Sequence, residues 1–368
     1  MKYYIIAGEA SGDLHASNLM KEIKKQDVKA EFRCWGGDLM QAEGATLVKH
    51  YRELAFMGFV EVLANISTIM RNLKLCKKDI SAYQPDALIL VDYPGFNLRI
   101  ASFAKKIGLK VFYYISPQIW AWKQSRVKQI KANVDRMFVI LPFEKEFYNK
   151  FNYEVEFVGH PLLDAIAGLK IHSENINSSK PIIALLPGSR KQEIMRILPI
   201  MLQVAQKYTD YTCIIAAAPS ISAEFYADII KGQNIEIIYN QTYDLLSKAH
   251  AALVTSGTAT LETALFEVPE VVCYKGGNLS YRIAKKLIKV KYISLVNLVM
   301  DREIVKELIQ DDMNAEKLSD ELNKLLHNES LRQEMAENYS LLKQKLGGIG
   351  ASAKTALLIT QDLKKAKF

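Results

Sequence analysis

The chain of 368 residues is long enough for two domains, and its 49% apolar and 24% charged residues are typical of a globular protein. Lys and Arg exceed Asp and Glu by 48 − 40 = 8, which favours an anionic partner, but the excess is not concentrated in one tail, which argues against a nucleic-acid-binding arm. No apolar run reaches membrane-spanning length, no signal peptide precedes the first strand, and the four widely spaced cysteines include no CxxC pair, so we expect a cytoplasmic protein with reduced thiols.

The first predicted strand, residues 3–7, runs directly into the sequence GEASGD and a helix. Carboxylates in such a turn repel phosphate, so Glu9 and Asp13 suit hydroxyl groups, either as general bases or as acceptors for a sugar. His15 lies one turn into the helix and could also take a proton. A turn that only caps its helix is the alternative interpretation.

The segment at residues 56–78 is amphipathic. Its apolar stripe begins at Phe56, Phe59 and Leu63, and its cations, among them Arg71 and Lys74, lie toward the other end. Such a stripe is compatible with a helix that packs on the protein core and with one that lies on an anionic membrane surface. The sequence alone leaves both interpretations open.

Residues 87–91, ALILV, form a predicted buried parallel strand, and Asp92 follows at its carboxyl end. Ligands of open α/β sheets bind beyond the carboxyl ends of strands, and partial burial raises the pKa of an acid, so we interpret Asp92 as a candidate general base; a cap of the next turn is the alternative. Further strands are predicted at residues 110–115, 137–141 and 154–158. Strands that alternate with helices in this way predict a doubly wound sheet.

The polar run at residues 170–180 predicts a linker into a second α/β half, where a strand at 182–186 leads through PGSR into a helix. Gly188 and Ser189 expose free N–H groups at the positive end of the helix dipole, and the guanidinium of Arg190 can fork onto phosphate oxygens. Any strand–helix unit needs such a turn, so the inferred anion site depends on its position at the start of a second domain.

The predicted strand at 251–255 ends in SGTATLE, which again opens a helix. Ser256, Gly257 and Thr258 can present N–H and hydroxyl donors to a diphosphate, and the carboxylate of Glu262, one turn later, can accept from both hydroxyls of a ribose. Two such helix starts in one domain favour a nucleoside diphosphate. GIGASAKT near the C-terminus departs from the phosphate loop of ATPases, and no metal-ligand spacing is present, so we expect no metal.

Ten ordered motifs are typical of one family of enzymes. They are AGEASGD, GGxxMQAEG, MGFVEVL, DxPxFN, SPQIWAW, LPFE, VGHPL, LPGSRxxE, SGTATLE and YISLVNL. Through them the chain resembles the bacterial lipid-A-disaccharide synthases along nearly its whole length, with Asp38 in place of the proline expected after the glycine pair. The resemblance implies the α/β GT-B fold, in which two doubly wound Rossmann-like domains face a cleft.

The resemblance also implies the division of labour between the domains. Residues 1–168 would bind the acceptor and lipid, residues 181–346 would bind the UDP-sugar, and by analogy a last helix at about 347–368 would pack back on the first domain. The implied reaction transfers 2,3-diacylglucosamine from its UDP derivative to 2,3-diacylglucosamine 1-phosphate (lipid X). It inverts the anomeric centre and releases UDP, and no metal or other cofactor is expected.

Roles for individual residues follow from the same resemblance. Asp92 would be the base that takes the proton of the acceptor hydroxyl, and Glu9 and His15 would support or orient it. The PGSR and SGT turns would stabilise the departing UDP, Glu262 would hold the ribose, and Asn297 matches a further family site position.

The acylated substrates place the expected reaction at the cytoplasmic face of the inner membrane, where the stripe that starts at Phe56 would contact the anionic surface. Two alternatives stay open from the residues. One is another UDP-sugar enzyme of the same fold, such as a UDP-N-acetylglucosamine 2-epimerase or a peptidoglycan transferase. The other is a non-catalytic carrier of a nucleotide-sugar or lipid.

Overall fold

The computed structural model of the chain describes residues 1–54, 66–277, 281 and 290–365. The chain divides into two compact units. The first consists of Met1–Gly168 together with Leu346–Phe368, and the second of Leu169–Lys345. Each unit contains its own sheet, and every strand pairing in both sheets is parallel.

The strands are short and their central members are wholly buried, as expected when helices cover both faces of a parallel sheet. In the first unit they are β1 (Lys2–Ala7), β2 (Glu31–Gly36), β3 (Thr46–His50), β4 (Ala87–Val91), β5 (Lys110–Tyr114), β6 (Arg136–Val139) and β7 (Glu156–Phe157). In the second they are β8 (Ile182–Leu186), β9 (Thr212–Ala217), β10 (Glu236–Tyr239), β11 (Ala249–Thr255), β12 (Glu270–Tyr274) and β13 (Lys306–Ile309).

Helices connect these strands. Those described are α1 (Ala10–Gln26), α2 (Asp38–Ala42), α3 (Ile66–Tyr83), α4 (Pro94–Lys106), α5 (Ile119–Trp122), α6 (Arg126–Asn133), α7 (Pro142–Asn149), α8 (Pro161–Ala167), α9 (Lys191–Ala205), α10 (Ala223–Ile230), α11 (Thr242–Leu246), α12 (Thr258–Leu265), α13 (Leu295–Met300), α14 (Ala315–His327), α15 (Glu329–Lys345) and α16 (Ala351–Lys365). No helix within these described ranges is both long and apolar enough to cross a membrane.

The order of strands reverses once in each sheet. The first sheet runs β3-β2-β1-β4-β5-β6-β7 and the second runs β10-β9-β8-β11-β12-β13. The reversal therefore falls between β1 and β4 in the first unit and between β8 and β11 in the second. In sheets of this kind ligands bind at the carboxyl ends of the strands beside the reversal. The α/β prediction of two doubly wound parallel sheets is confirmed.

The last helix belongs to the first unit, where α16 packs on α1 and α8. The carboxylate of Asp164 accepts hydrogen bonds from the N–H groups of Gly350 (2.6 Å) and Ser352 (2.7 Å), at the start of α16. The N–H of His160 donates to the carbonyl of Leu346 (2.9 Å). These bonds satisfy N–H groups that a helix start leaves without partners, and they fix the place where the chain re-enters the first unit.

The sequence prediction lacks two strands and places the start of the first helix too late. The edge strands β3 and β13 were not predicted, because their sequences TLVKH and KELI carry charges and have no continuous apolar run. The first helix begins at Ala10, four residues earlier than the apolar pattern indicated. Most of GEASGD is therefore the first turn of a helix rather than a loop.

Candidate functional site

The exits of β1 and β4 form the candidate site of the first unit. Ala7 and Val91 are register partners at the ends of these two neighbouring strands, so the turns that carry Glu9 and Asp92 leave the sheet side by side. GGxxMQAEG begins at the last residue of β2, and SPQIWAW, LPFE and VGHPL follow β5, β6 and β7 at the same edge. Parallel topology thus gathers six family motifs, distant in sequence, at the carboxyl edge of one sheet.

Asp92 lies at the centre of this edge in an unusual backbone conformation. Its φ is 42° and that of Tyr93 is 48°, so two consecutive non-glycine residues occupy the left-handed region. Such conformations are costly and persist where the surroundings impose them, as at functional sites. Here both backbone groups of Asp92 are held: its N–H donates to Tyr114 O (3.2 Å), and its carbonyl accepts from Asn97 Nδ2 (2.7 Å) and the Tyr113 hydroxyl (2.5 Å).

The carboxyl group of Asp92 has the electrostatics of a general base. Burial, with a further contribution from the negative charge of Glu9, raises its pKa from 3.8 to about 7, although the N–H of Tyr93 favours the ionised form. A base whose pKa lies near neutrality combines an adequate ionised fraction with a strong affinity for the proton. Asp92 is therefore the candidate base of this site.

Gly8 is required by the packing of these two turns. A Cβ on Gly8 would lie 2.3 Å from the ring of Tyr93, so only glycine lets the aromatic ring rest on the β1 turn. The hydroxyl of Tyr93 donates to the carbonyl of Leu54 (3.2 Å), which orients the ring. The contact keeps Glu9 and the candidate base on adjoining turns.

Asp13 has a structural role. Its Oδ1 accepts from the N–H of Gly37 (2.8 Å) and of Met40 (3.1 Å), and its Oδ2 accepts from the N–H of Leu39 (3.1 Å). The side chain is almost fully buried and caps α2 from a neighbouring turn. The interpretation of Asp13 as a general base or sugar acceptor is therefore replaced by that of a helix cap that ties the GEASGD and GGxxMQAEG motifs together.

His15 lies in a second polar cluster, with His160 and Asp164. Burial lowers the pKa of His15 to about 4, opposed by the charge of Asp164, and the pKa of His160 is about 3 because of burial and the proximity of His15. The interactions resolved for the candidate base involve Glu9, the adjoining Tyr93, Asn97 of α4 and the end of β5, and none of them involves His15. His15 is thus a neutral buried imidazole beside α8 and α16, and its expected support of the candidate base would act through packing.

In the second unit, the PGSR turn leaves β8 and begins α9. Gly188 has a φ of 113°, and a Cβ there would lie 3.1 Å from Glu193 Oε2 and 3.3 Å from Thr255 Cγ2, so the turn needs glycine. Ser189 precedes Arg190, which is the N-cap of the helix. The Arg190 side chain is 60% exposed and donates to Glu193 Oε1 (2.8 Å). An exposed pair of this kind is weak, so an anion can compete for the guanidinium.

The SGT turn leaves β11, the neighbour of β8, and begins α12. Gly257 is its N-cap and, like Thr258, is exposed, and the helix start carries no side-chain cap. The helix start thus offers N–H donors at the positive end of a helix, although the N–H of Thr260 already donates to Gly257 O (3.2 Å). Ser256 donates from its hydroxyl to Ile293 O (3.1 Å), which makes it an anchor for the following segment in this conformation.

Glu262 is held by a residue that sequence reasoning missed. Its Oε1 accepts from the hydroxyl of Tyr243 (2.7 Å), and the Tyr243 ring stacks on Phe266 with centroids 5.5 Å apart. Burial raises the pKa of Glu262 and the tyrosine hydroxyl opposes that rise. The other carboxylate oxygen is the one that a ribose would engage. No motif marked Tyr243, because the short helix α11 reaches this site only through the fold.

Asn297 is fully buried, and all the hydrogen-bonding groups of its amide are engaged by other protein groups. Its Nδ2 donates to Val305 O (2.8 Å) and Glu307 Oε1 (2.9 Å), and its Oδ1 accepts from the N–H of Ile304 (2.7 Å) and Val305 (3.0 Å). These four bonds use all the donors and acceptors of a primary amide. Contact with a ligand would break one of them, so the structure assigns Asn297 to ordering the loop after α13.

Part of the expected membrane surface lies outside the described residues, namely Phe56, Phe59 and Leu63. Arg71 and Lys74 lie on α3 and are exposed. The apolar residues of this helix form one stripe. Its later members Leu73, Cys76 and Ile80 are buried, whereas Ile66 and Met70, at the N-terminal end of the described helix, are 49% and 59% exposed. The described part of the amphipathic segment therefore serves the core and also exposes apolar side chains beside cations.

Comparison with known proteins identifies the family. A family model described as Lipid-A-disaccharide synthetase matches residues 3–359. A lipid-A-disaccharide synthase from Geobacter metallireducens is 38% identical over 99% of this chain and 97% of its own length. The enzymes of the same name from Syntrophus aciditrophicus (39%, 98% of each chain) and Nitrosococcus oceani (40%, 93% and 92%) agree. The chain belongs to the lipid-A-disaccharide synthetase family. The resemblance predicted from the motifs is thereby confirmed.

Solved structures confirm the fold. A UDP-GlcNAc 2-epimerase from Neisseria meningitidis superposes with a TM-score of 0.69 at 14% identity, covering 99% of this chain and 100% of the other. The glycosyltransferase of kitacinnamycin gives 0.68 at 12% identity, covering 98% and 99%. At such identities the likeness concerns the fold alone, which is the GT-B type predicted from the sequence.

Proposed function

We propose that this protein is a lipid-A-disaccharide synthase, an inverting glycosyltransferase. It transfers 2,3-diacylglucosamine from UDP-2,3-diacylglucosamine to lipid X, forming the β-1,6-linked disaccharide 1-phosphate and UDP. The observation that carries this proposal is the family match over residues 3–359, with relatives of about 38% identity over nearly the full chain. Lipid-A-disaccharide synthesis is the activity that the relatives are named for.

The candidate base supplies the proton acceptor of the proposed reaction. In an inverting transfer the acceptor oxygen attacks the anomeric carbon as the bond from that carbon to the diphosphate breaks, and the hydroxyl proton passes to the Asp92 carboxylate. Burial, and secondarily the charge of Glu9, keeps the pKa of this carboxyl high, and Asn97 and Tyr113 hold its backbone. The step balances, because the proton goes to the base and the electron pair of the broken anomeric carbon–oxygen bond leaves with UDP.

The second unit would bind UDP. The free helix starts after Gly188 and Gly257, with the Arg190 guanidinium, would stabilise the diphosphate as its negative charge develops. Glu262 would accept from the ribose hydroxyls with its unengaged oxygen. We propose that this charge stabilisation suffices without a metal, and within the described ranges no cluster of three or more His, Cys, Asp or Glu side chains is arranged to hold one.

The decisive experiment measures UDP release from UDP-2,3-diacylglucosamine in detergent micelles. The reaction is run with and without lipid X, and with EDTA or added Mg²⁺. Release that requires lipid X and is indifferent to EDTA supports the metal-independent transferase. Release abolished by EDTA would contradict the proposed metal independence.

The same assay separates the alternatives. Turnover of UDP-N-acetylglucosamine to its 2-epimer, with no product from the lipid substrates, would contradict the synthase and favour an epimerase of the same fold. Tight binding of the UDP-sugar without UDP release would favour a carrier. Asp92→Asn is the matched negative control, since it removes the base and keeps the side-chain shape.

We further propose that the first unit meets the anionic inner-membrane surface at the cytoplasmic side. The support is the exposure of Ile66 and Met70 beside Arg71 and Lys74 on α3. Charge reversal, Arg71→Glu with Lys74→Glu, should abolish sedimentation with vesicles that contain phosphatidylglycerol. The matched double reversal at Lys364 and Lys365, which are exposed at the end of α16, a helix that packs on α1, should not. Sedimentation unaffected by the double reversal or by high salt would contradict the electrostatic part of this proposal.

A further inference from the structure

A buried carboxylate of the first unit has no role in the reaction described above. Glu144 is 1% exposed, and its Oε2 accepts from the N–H groups of Leu141 (2.9 Å) and Ile140 (3.1 Å) at the start of α7. Its Oε1 is buried without a hydrogen bond of regular geometry. A helix cap needs only one carboxylate oxygen. Burying the second oxygen removes its hydration without providing a hydrogen bond, so its burial requires another explanation.

The surroundings of Oε1 belong to the SPQIWAW motif. Burial raises the pKa of Glu144 to about 7, and the N–H groups of Leu141 and Ile140 oppose that rise. The side chains of Ser116 and Trp120 also lie close enough to favour its ionised form. The indole Nε1 of Trp120 is likewise buried without a partner of regular geometry, and its ring packs edge-on against Phe143 at 4.9 Å. Ser116 Oγ is hydrogen-bonded to the hydroxyl of Tyr148, one turn after Glu144 on α7, at 2.8 Å.

The residue before Ser116 shows why this segment must be held. Ile115, at the exit of β5, has a φ of 65°, which is a genuine outlier for a β-branched side chain and costs roughly 1–3 kcal/mol. Its N–H donates to Phe138 O of β6 (3.1 Å). The exit turn, defined here as Ile115–Gln118, is thus strained. Tyr148 is the α7 side chain that is hydrogen-bonded to it, and Glu144 lies beside that bond with its Oε1 unpartnered.

The exit turn leads directly to the candidate base. Tyr114, which precedes Ile115, accepts the N–H of Asp92, and Tyr113 donates its hydroxyl to the carbonyl of Asp92. The end of β5 thus helps to hold the left-handed backbone of the candidate base. If the exit turn relaxed, both of these hydrogen bonds would weaken. Tyr148 also contributes to the raised pKa of Tyr113, in keeping with their proximity.

We propose that Glu144, with Tyr148, is a positioning residue of the transferase: it holds the strained exit turn of β5 and thereby fixes the backbone of the candidate base. The expected fall in kcat rests on the proposed function. The expected loosening of the backbone at residues 92–97 does not. Glu144 belongs to the LPFE motif, and Ser116 and Trp120 beside it belong to SPQIWAW. The proposed reaction gives neither motif a role.

The test compares three single variants and one double variant, all full-length. Tyr148→Phe removes the bond to Ser116, and Glu144→Gln places an amide donor against the indole N–H while it keeps the helix cap. Tyr153→Phe is the matched control, because it removes a hydroxyl bond to Val134 O (3.2 Å), which precedes β6 at the opposite edge of the sheet. The first readout is hydrogen exchange of peptides that span residues 92–97, and the second is UDP release with kcat and the donor KM separated.

We expect Tyr148→Phe and Glu144→Gln to speed exchange at residues 92–97 and to lower kcat, each by about 10-fold, which is the effect of one net hydrogen bond. The donor KM should change less than about 2-fold, since the UDP-sugar is bound by the other unit. Adding Trp120→Phe to Glu144→Gln removes the donor–donor conflict and should restore part of kcat.

Unchanged exchange and kcat in both variants would overturn the inference, as would equal effects in Tyr153→Phe, which would indicate general loosening. If the wild-type protein releases no UDP from the lipid substrates, the proposed function fails, but the exchange experiment still decides whether Glu144 and Tyr148 hold the turn of the candidate base.

Discussion

Replacing the candidate base by its neutral isostere should stabilise the fold while it destroys activity. In Asp92→Asn the side-chain volume is conserved, and asparagine tolerates the left-handed backbone at least as well as aspartate. The hydrogen bonds to Tyr114, Asn97 and Tyr113 involve the backbone of residue 92 and survive the change. The variant therefore removes one partly buried carboxyl charge and little else.

The magnitude follows from the pKa. The folded-state pKa of Asp92 is about 7 against 3.8 for the ordinary carboxyl, so the native state retains a proton that the unfolded chain has lost, and stability falls as pH rises from about 4 to about 7. Three pKa units correspond to about 4 kcal/mol, of which about 2.5 kcal/mol is lost between pH 5 and pH 8. The asparagine of the variant does not titrate and has no such dependence. The advantage of Asp92→Asn should therefore grow by about that amount over this interval.

Urea unfolding at pH 5 and pH 8, followed by tryptophan emission, measures this difference. The chain has three tryptophans, Trp35, Trp120 and Trp122, and all belong to the first unit, so the signal reports the unit that contains the candidate base. Other titrating groups are common to both proteins and largely cancel in the comparison. In the UDP-release assay the same variant should lose about 10²- to 10⁴-fold in kcat, the usual contribution of a general base.

Two results would refute this reasoning. If the difference in unfolding free energy between the two proteins is the same at pH 5 and pH 8, Asp92 titrates as an ordinary carboxyl and its pKa is not raised by burial. A variant that turns over at near wild-type rate would mean that another group takes the proton, whatever its effect on stability.

Three further predictions concern the neighbours of the base and the UDP site. Glu9→Gln removes the nearby negative charge, so the acid limb of kcat/KM, expected near pH 7, should move to lower pH; an unmoved limb would show that burial alone sets the pKa of Asp92. Arg190→Lys keeps the charge but loses the two-pronged guanidinium contact, so UDP should bind at least about 10-fold more weakly by calorimetry. The control Lys207→Ala, just past the C-terminal end of the same helix, should not alter binding. Tyr243→Phe keeps the stacked ring but releases Glu262, so UDP affinity should fall about 3- to 10-fold while unfolding changes little; equal affinity would exclude Glu262 as the ribose ligand.

The local chemistry of the strand exits could be predicted from the sequence. Continuous apolar runs such as ALILV specify parallel interior strands, and the residue that follows each run must emerge at the carboxyl edge. That reasoning alone identified Asp92, Arg190 and the SGT turn as site candidates. The ten motifs also identified the family, since so many motifs in one order rarely occur together by chance.

Other features depend on contacts between distant parts of the chain. The edge strands β3 and β13 carry mixed sequences, so only pairing with their neighbours makes them strands. Asp13 resembles a catalytic acid in GEASGD until the N–H groups of Gly37, Leu39 and Met40 are seen to occupy it. Asn297 resembles a ligand-binding amide until the loop that follows α13 closes around it.

By itself, the sequence determined which residue types lie at the ends of the strands, because the strand pattern and the turn residues are local properties. Only the tertiary structure decided which of those residues are free to act. Whether a carboxylate is a base, a cap or an anchor depends on its burial and on which N–H groups reach it, and those come from elements tens of residues away. Asp92, Asp13 and Glu144 are three acids beside strand exits with three different roles for that reason.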